Sequence, residues 1–306
     1  MAAAAGGGAN SKGRVVVVTG STRGIGLGLA QELLKRGARV VVSGRSQESV
    51  DKALAALSAG DQAVGLPADV SRAEDHQALW DRAVEAFGRV DVWVNNAGIS
   101  LPRKPVWELD PAGAQSIVNT NLVGVMLGTS TAVRGMLAQG SGMVWNMEGY
   151  GSSGMTSEGL APYGSTKRAV TYFTDCVTKD LEGKPVGVAH LSPGIVLTDL
   201  LVDDYEGQPE QFEKAKKFFN ILGDRVETVT PFLADGILAE HKSGDRVAWL
   251  TRGKAGGRFF KRFVLQRKRD IFAGGPVPAG AEALASGGSP GGAGGGNTAA
   301  GKHRAS

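Results

Sequence analysis

The chain of 306 residues carries 34 Lys and Arg against 30 Asp and Glu, a formal charge of +4, and 46 glycines. Its single cysteine, Cys176, excludes an internal disulfide framework or a Cys-rich zinc centre, and four scattered histidines offer no ligand spacing, so no metal is expected. No apolar run approaches the ~20 residues of a membrane-spanning helix. A soluble or at most peripheral chain is therefore expected, and its mild positive charge suits an anionic cofactor or surface without demanding nucleic acid.

Residues 1–13 are Ala/Gly-rich and read as a disordered leader without a clear secretory or transit signal. Val15–Val18 is a β-branched run ending in Thr19-Gly20, as in a buried parallel strand. Apolar residues at helical spacing follow over 25–36, closing on Gly37. Strands are then predicted over 39–44, 63–68, 90–95, 142–146, 186–191 and 247–251. Helices are predicted over 46–57, 72–87, 111–138 and 163–181. Strands alternating with helices of this length build right-handed βαβ units. The expected architecture is α/β: a doubly wound, Rossmann-type, seven-stranded parallel sheet with helices on both faces, one domain over 14–251. Residues 252–272 form a basic extension with eight Lys and Arg between 252 and 269, and 273–306 read as a disordered Gly/Ala-rich tail.

Three places carry chemistry. The loop Gly20-Ser21-Thr22-Arg23-Gly24-Ile25-Gly26 lies between the first strand and first helix, where glycines admit a pyrophosphate and helix N–H groups bind its charge. Tyr163 and Lys167 share one face of a helix. An ammonium held that close favours the phenolate and brings the tyrosine's proton exchange nearer neutral pH. Near the second strand, Arg45 joins Arg23 where an acidic residue would suit a bare ribose diol; two guanidinium groups suit a 2′-phosphate and so NADPH.

Thr19–Gly26, Asn95-Asn96-Ala97-Gly98, Asn121, Tyr163-x3-Lys167 and Ser192-Pro193-Gly194 recur in the order seen in short-chain dehydrogenases/reductases, which the chain resembles from 14 to about 198. The resemblance implies Tyr163 as general acid/base, Lys167 as its pKa-lowering and ribose-holding partner, and Asn121 as anchor of a relay water. It places Asp69 and Val70 at the adenine, Asn96, Ala97 and Gly98 beside the adenosine, and Pro193, Gly194 and Thr198 around the nicotinamide. That family usually carries a carbonyl-polarising Ser after the fifth strand, where this chain has Gly149. Ser153, or failing it Ser152 or the flanking backbone, is the expected substitute.

The stretches Asn146-Met147-Glu148-Gly149, Tyr163-Gly-Ser-Thr-Lys167 and Phe218-Phe-Asn-Ile-Leu-Gly-Asp224 further resemble the chlorophyll b reductases of plants and algae, in the form without membrane spans. The resemblance implies NADPH-dependent reduction of the formyl group of chlorophyll b or chlorophyllide b. It also implies a chloroplast location on the stromal side of the thylakoid, a membrane-spanning reductase paralogue or light-harvesting antenna protein as partner, and a homo- or hetero-oligomer. Alternatives are a generic carbonyl or 3-oxoacyl reductase of the same fold, and a non-catalytic nucleotide-binding scaffold. The segment 199–223 is expected to form a lid whose apolar residues pack a core or meet a porphyrin. Residues 258–269 read equally as a membrane-facing element or a helix packed on the domain. Trp80, Trp93, Trp107, Trp145 and Cys176 are expected to be buried.

Overall fold

In a computed structural model of the protein, residues 13–273, 277, 278, 280, 281 and 284 are described. Seven strands form one parallel sheet: β1 (Val15–Val18), β2 (Arg39–Gly44), β3 (Ala63–Pro67), β4 (Val92–Asn95), β5 (Gly142–Met147), β6 (Val186–Ser192) and, at the far edge, Arg246–Ala248. Their spatial order is β3-β2-β1-β4-β5-β6 and then the 246–248 strand. The chain thus winds outward from β1 to one side and then, from β4, to the other. The reversal opens a crevice at the carboxyl ends of β1 and β4, where such sheets hold their ligands.

Both faces of the sheet are covered, which is why its strands read as continuous Val runs rather than alternating ones. In β1, Val16 and Val18 enter a core with Leu29 and Leu33 of α1 (Gly24–Lys35). Val15 and Val17 enter the opposite core with Leu79 of α3 (Ala73–Phe87) and Trp93. The second helix, α2 (Gln47–Leu57), is capped by the Ser46 hydroxyl, which accepts from Ser49 N–H.

The helix expected over 111–138 is divided. It comprises α4 (Pro111–Val118), a π-helical turn at Asn119–Val123, and α5 (Gly124–Gln139). Periodicity cannot register one extra residue in a turn, and such π turns recur at functional sites. The helix bearing the Tyr/Lys pair is α6 (Ala161–Asp180), with Pro162 in its first turn.

Beyond β6 the chain forms a cap. A short strand, β7 (Val196–Leu197), pairs with β8 (Asp224–Arg225). Between them lie α7 (Asp199–Asp203) and α8 (Pro209–Leu222), and after them α9 (Val226–Leu238). The edge strand of the main sheet, β9, is Arg246–Ala248, earlier and shorter than expected, and α10 (Arg252–Phe263) follows it. The cap has its own apolar cluster, with Leu197, Val202, Tyr205, Phe212 and Phe219 packed against Ile271, Ala281 and Leu284. The tail expected to be disordered from 273 onward therefore contributes two buried side chains, with Val277 half-buried against them; apart from 273, 278 and 280 the rest of that tail, and nearly all of the leader, lies outside the described residues.

The basic extension is anchored rather than appended. Buried Asp224 receives Arg258 and Arg269, each at 2.7 Å, and the Trp249 indole N–H at 2.6 Å. Two expectations about burial are corrected. Trp107 is 82 % exposed, because it sits in a single 3-10 turn over 106–108 outside both cores, and Cys176 is exposed on the outer face of α6. No described helix is long and apolar enough to cross a membrane.

Candidate active site

A cavity of about 1160 Å³ occupies the crevice, lined from the β1–α1 loop through the ends of β2, β4 and β5 to α6 and the cap. Its cofactor side is built from backbone geometry. Gly20 has φ +60°, and a Cβ there would lie 2.8 Å from Ala97 Cα; a Cβ on Gly26 would collide with the Gly20 carbonyl. Only glycine permits this turn. The turn delivers the N-terminus of α1, whose cap residue Arg23 offers no side-chain bond, so the helix's free N–H groups face the cavity.

Around this loop the polar groups are saturated. Thr19 Oγ1 accepts from Asn96 N–H and Ala97 N–H at 3.0 and 3.1 Å, and Asn96 Nδ2 donates to the carbonyls of Thr19 and Gly20. Ser43 Oγ accepts from Gly20 N–H, and Ser21 Oγ accepts from Ser43 N–H. One layer down, Asn95 Nδ2 donates to Asn146 Oδ1 at 2.8 Å and Asn146 Nδ2 donates to Thr174 Oγ1, tying β4, β5 and α6 together. Ser43 was missed from sequence, although a polar residue inside a Val-rich buried strand was a usable signal.

The other expected cofactor residues meet at the same cavity. Thr22, Arg23, Gly24, Ile25, Arg45, Asp69, Val70, Asn96, Ala97, Gly98, Pro193, Gly194 and Thr198 all line it, whereas Ser21 turns its hydroxyl back to the Val18 carbonyl. Arg45 is exposed at the rim, close enough to Asp69 to help hold that carboxyl low, after the Ser71 backbone and hydroxyl hydrogen bonds that dominate. Arg23 is already engaged, with its guanidinium 3.6 Å from Asp199 of α7. This loose, exposed pair contributes little and is easily exchanged.

The chemistry converges on α6. Lys167 is 3 % exposed and donates to the Met147 carbonyl at 3.1 Å, with its Nζ 5.8 Å from the centre of the Tyr163 ring. Burial pulls its pKa down to about 8, against the pull of the Glu148 charge. The Tyr163 phenol moves the other way from the expectation. Part of the ring still faces the cavity, but desolvation, with the Asp204 charge added, pushes its pKa upward. The ammonium is turned to a carbonyl rather than to the phenolic oxygen, so burial wins. The phenol is held in its protonated form, the form that gives a proton rather than takes one.

Asn121, fully buried in the π turn, spends its side chain on the opposite strand-end loop. Oδ1 accepts from Ile99 N–H at 2.8 Å, and Nδ2 donates to the Ile99 carbonyl at 2.9 Å. It thereby fixes the loop that carries Ser100.

The expectation for Ser153 is not met. Ser153 is exposed and does not line the cavity, because the turn after β5 points it to solvent. Ser152 is buried but committed: it accepts from Gly149 N–H at 3.1 Å and its hydroxyl donates to the Lys167 carbonyl. Gly149 itself lies against the site, and a Cβ there would collide with the Tyr163 hydroxyl.

Sequence reading also missed Ser100, Arg103 and Asp204, which line the same cavity as Tyr163, Asp204 close enough for its charge to act on the phenol. No local signal marks them; Asp204 falls within 199–223, expected only to form a lid. Of the cap's apolar residues, Val202 and Phe212 are interior, Leu200, Leu201 and Phe218 line the cavity, and Phe219 does both. Among the described residues, no group of three or more His, Cys, Asp or Glu could hold a metal ion.

Known proteins give this geometry a family. Residues 14–209 match the short chain dehydrogenase family. The chain is 37% identical over 257 residues to a probable chlorophyll(ide) b reductase, NYC1, of Arabidopsis thaliana, covering 78% of this chain and 51% of that protein. It is 35% identical over 269 residues to the chlorophyll(ide) b reductase NOL of Oryza sativa subsp. japonica, covering 84% and 77%. Both relatives are described as chloroplastic. The chain thus spans about half the length of the first relative and about three quarters of the second. Among solved structures, an actinorhodin polyketide ketoreductase variant with NADPH superposes with a TM-score of 0.69 at 28% identity, over 77% of this chain and 95% of that one. The chain belongs to the short-chain dehydrogenase family.

Proposed function

We propose that the protein reduces the C7 formyl group of chlorophyll b or chlorophyllide b to a hydroxymethyl group, with NADPH as reductant. The observation that carries this reading is the turn Asn146-Met147-Glu148-Gly149 set directly against Tyr163, in a chain aligned over most of its length with two chlorophyll(ide) b reductases. The shape of the cavity supports it. Its lining includes Met155, Leu160, Leu200, Leu201 and Phe218, apolar surface suited to a flat apolar macrocycle.

The residues present fit a nicotinamide dinucleotide. The glycine turn and the uncapped start of α1 suit the pyrophosphate, and Asp69 and Val70 the adenine end. Arg45, joined by Arg23 once it leaves Asp199, suits a 2′-phosphate. When bound, the reduced nicotinamide supplies the hydride. Tyr163 holds the proton that the carbonyl oxygen takes up, and its raised pKa keeps that proton in place until the oxygen becomes basic. Lys167 holds the β5 exit through Met147, with its ammonium 5.8 Å from the centre of the Tyr163 ring. Asn121 fixes the loop facing α6, beside which a relay water is expected.

A location at the stromal side of the thylakoid accords with the chloroplastic relatives. The exposed aromatics Phe260 and Phe263 of α10 lie among Lys261 and Arg262, and could rest on an anionic membrane or an antenna protein. A membrane-spanning reductase paralogue is the corresponding protein partner. The substrate is tested by NADPH consumption with chlorophyll b set beside small ketones and 3-oxoacyl thioesters. The proposal expects turnover of the pigment to exceed that of the small carbonyls; preference for an oxoacyl thioester contradicts it.

A further inference from the structure

Buried polar atoms are almost always paired, because an unpaired one forfeits its hydration without return. Three that are unpaired here belong to one cavity wall: Ser100 Oγ, Arg103 Nε and Asp204 Oδ1. The wall is rigidly built. Arg103 N–H donates to the Asp204 carbonyl at 3.0 Å, and Gln208 Nε2 donates to the Arg103 carbonyl at 2.9 Å. The Arg103 guanidinium lies 4.7 Å above the Tyr205 ring, and Asn121 clamps Ile99 just before Ser100. The unpaired atoms are therefore not the product of a loose loop.

A carbonyl oxygen about to receive a proton from Tyr163 needs a second donor to stabilise its developing charge. The obvious donors beside it are largely committed. Gly149 has no side chain and its N–H goes to Ser152, the Ser152 hydroxyl goes to the Lys167 carbonyl, and the Lys167 ammonium is turned to Met147 with one of its three N–H groups. Ser100 stands two residues from Gly98, where a Cβ would lie 3.8 Å from Lys167 Nζ, so its loop borders the same chemistry. Asp204 is 7 % exposed, its Oδ1 has no hydrogen-bond partner, the Ser100 hydroxyl lies close enough to pull its pKa down, and when ionised its charge is felt by Tyr163.

We propose that Ser100 and Asp204 form the donor pair that grips the carbonyl oxygen beside Tyr163. The proposal rests on the reading of the site as a carbonyl reductase. Asp204 acts in its neutral form, as a carboxylic acid. Burial raises its pKa to about 6 and Asp203 pushes the same way, while Ser100 and the Arg103 guanidinium pull it down; the Tyr163 and Tyr205 phenols complete its surroundings. A flat apolar substrate filling the cavity removes more water and extends the upward shift. The carbonyl carbon gains a hydride from the reduced nicotinamide and its oxygen gains the phenolic proton of Tyr163, while Asp204 keeps its own proton throughout. Once ionised, Asp204 can no longer donate and repels the forming alkoxide.

The test measures kcat against pH for the full chain with NADPH and chlorophyll b, or with whichever carbonyl compound is turned over best. The variants are Asp204→Ala, Asp204→Asn and Ser100→Ala, with NADPH affinity and thermal unfolding as controls for folding. Asp204→Ala is expected to lower kcat about 10- to 100-fold, and Ser100→Ala about 3- to 10-fold, as for a lost oxyanion donor. Wild-type kcat is expected to fall as pH rises through the Asp204 pKa. Asp204→Asn, whose amide donates but cannot ionise, is expected to recover about tenfold of the alanine loss and to abolish that fall. An Asp204→Ala variant with wild-type kcat overturns the proposal, and so does an asparagine variant as slow as alanine with the pH profile unchanged. If a small ketone but not chlorophyll b is turned over, with the same Asp204 pattern, the donor pair stands and the pigment reading falls. A chain inert toward every carbonyl overturns both.

Discussion

The two halves of the cavity are built to opposite rules. On the cofactor side, Thr19, Ser21, Ser43, Asn95, Asn96 and Asn146 bond one another or the backbone across four strands, and glycine positions are fixed by steric contact. On the substrate side, Ser100, Arg103 and Asp204 keep polar atoms in reserve, and the apolar residues are split between an interior cluster and the cavity surface. A site that holds the same dinucleotide at every turnover gains from saturation, which rigidifies it. A site that must grip one oxygen of a large, flat substrate gains from donors that nothing else occupies.

That contrast can be broken at defined points. The largest effect is expected at Tyr163→Phe, which removes the proton donor while leaving the ring. Turnover should fall by roughly a thousandfold, within the usual range for a lost general acid, while NADPH affinity measured by fluorescence titration changes little. Next is Asp224→Ala, which leaves Arg258, Arg269 and the Trp249 indole N–H without their shared acceptor. A loss of about 3 kcal/mol is expected in denaturant unfolding, as for a buried ion pair broken on one side. If stability is unchanged, the anchoring of 252–272 on the cap is wrong. Gly149→Ala follows, since its methyl group must displace the Tyr163 hydroxyl. A 10- to 100-fold loss in kcat with little change in melting temperature is expected, about 1.4 kcal/mol for each tenfold step. The smallest is Arg45→Ala, which should raise the KM for NADPH about tenfold and leave that for NADH nearly unaltered, the value of one exposed phosphate contact.

The same contrast decided what could be read from sequence. The cofactor side was legible because its requirements are local: a strand that ends in a glycine turn, a helix that begins there, a Tyr and Lys one helical turn apart. Gly20, Gly26, Tyr163 and Lys167 announce themselves by type and spacing. The substrate side depends on what folds over what. Asp204 becomes a buried acid only because the cap brings the loop at Ser100 and Arg103 onto it, and Asn121 faces Ile99 only through a π turn that no periodicity reveals. Ser153 was favoured because it is near Gly149 in sequence, but the intervening turn aims it at solvent. The Tyr163–Lys167 pair had the right spacing and the wrong electrostatics, since burial outweighs an ammonium turned toward Met147. Ala281 and Leu284 were lost in a Gly/Ala-rich tail whose composition hides two packing residues.

The central claim is that this site reduces a formyl group on a pigment. Its most direct test is chromatography of pigments after incubating the protein with chlorophyll b and NADPH, beside Tyr163→Phe. The proposal predicts conversion to the 7-hydroxymethyl pigment by the wild type and at most a trace by the variant. Unchanged chlorophyll b in both, from protein that binds NADPH and reduces another carbonyl compound, would contradict it.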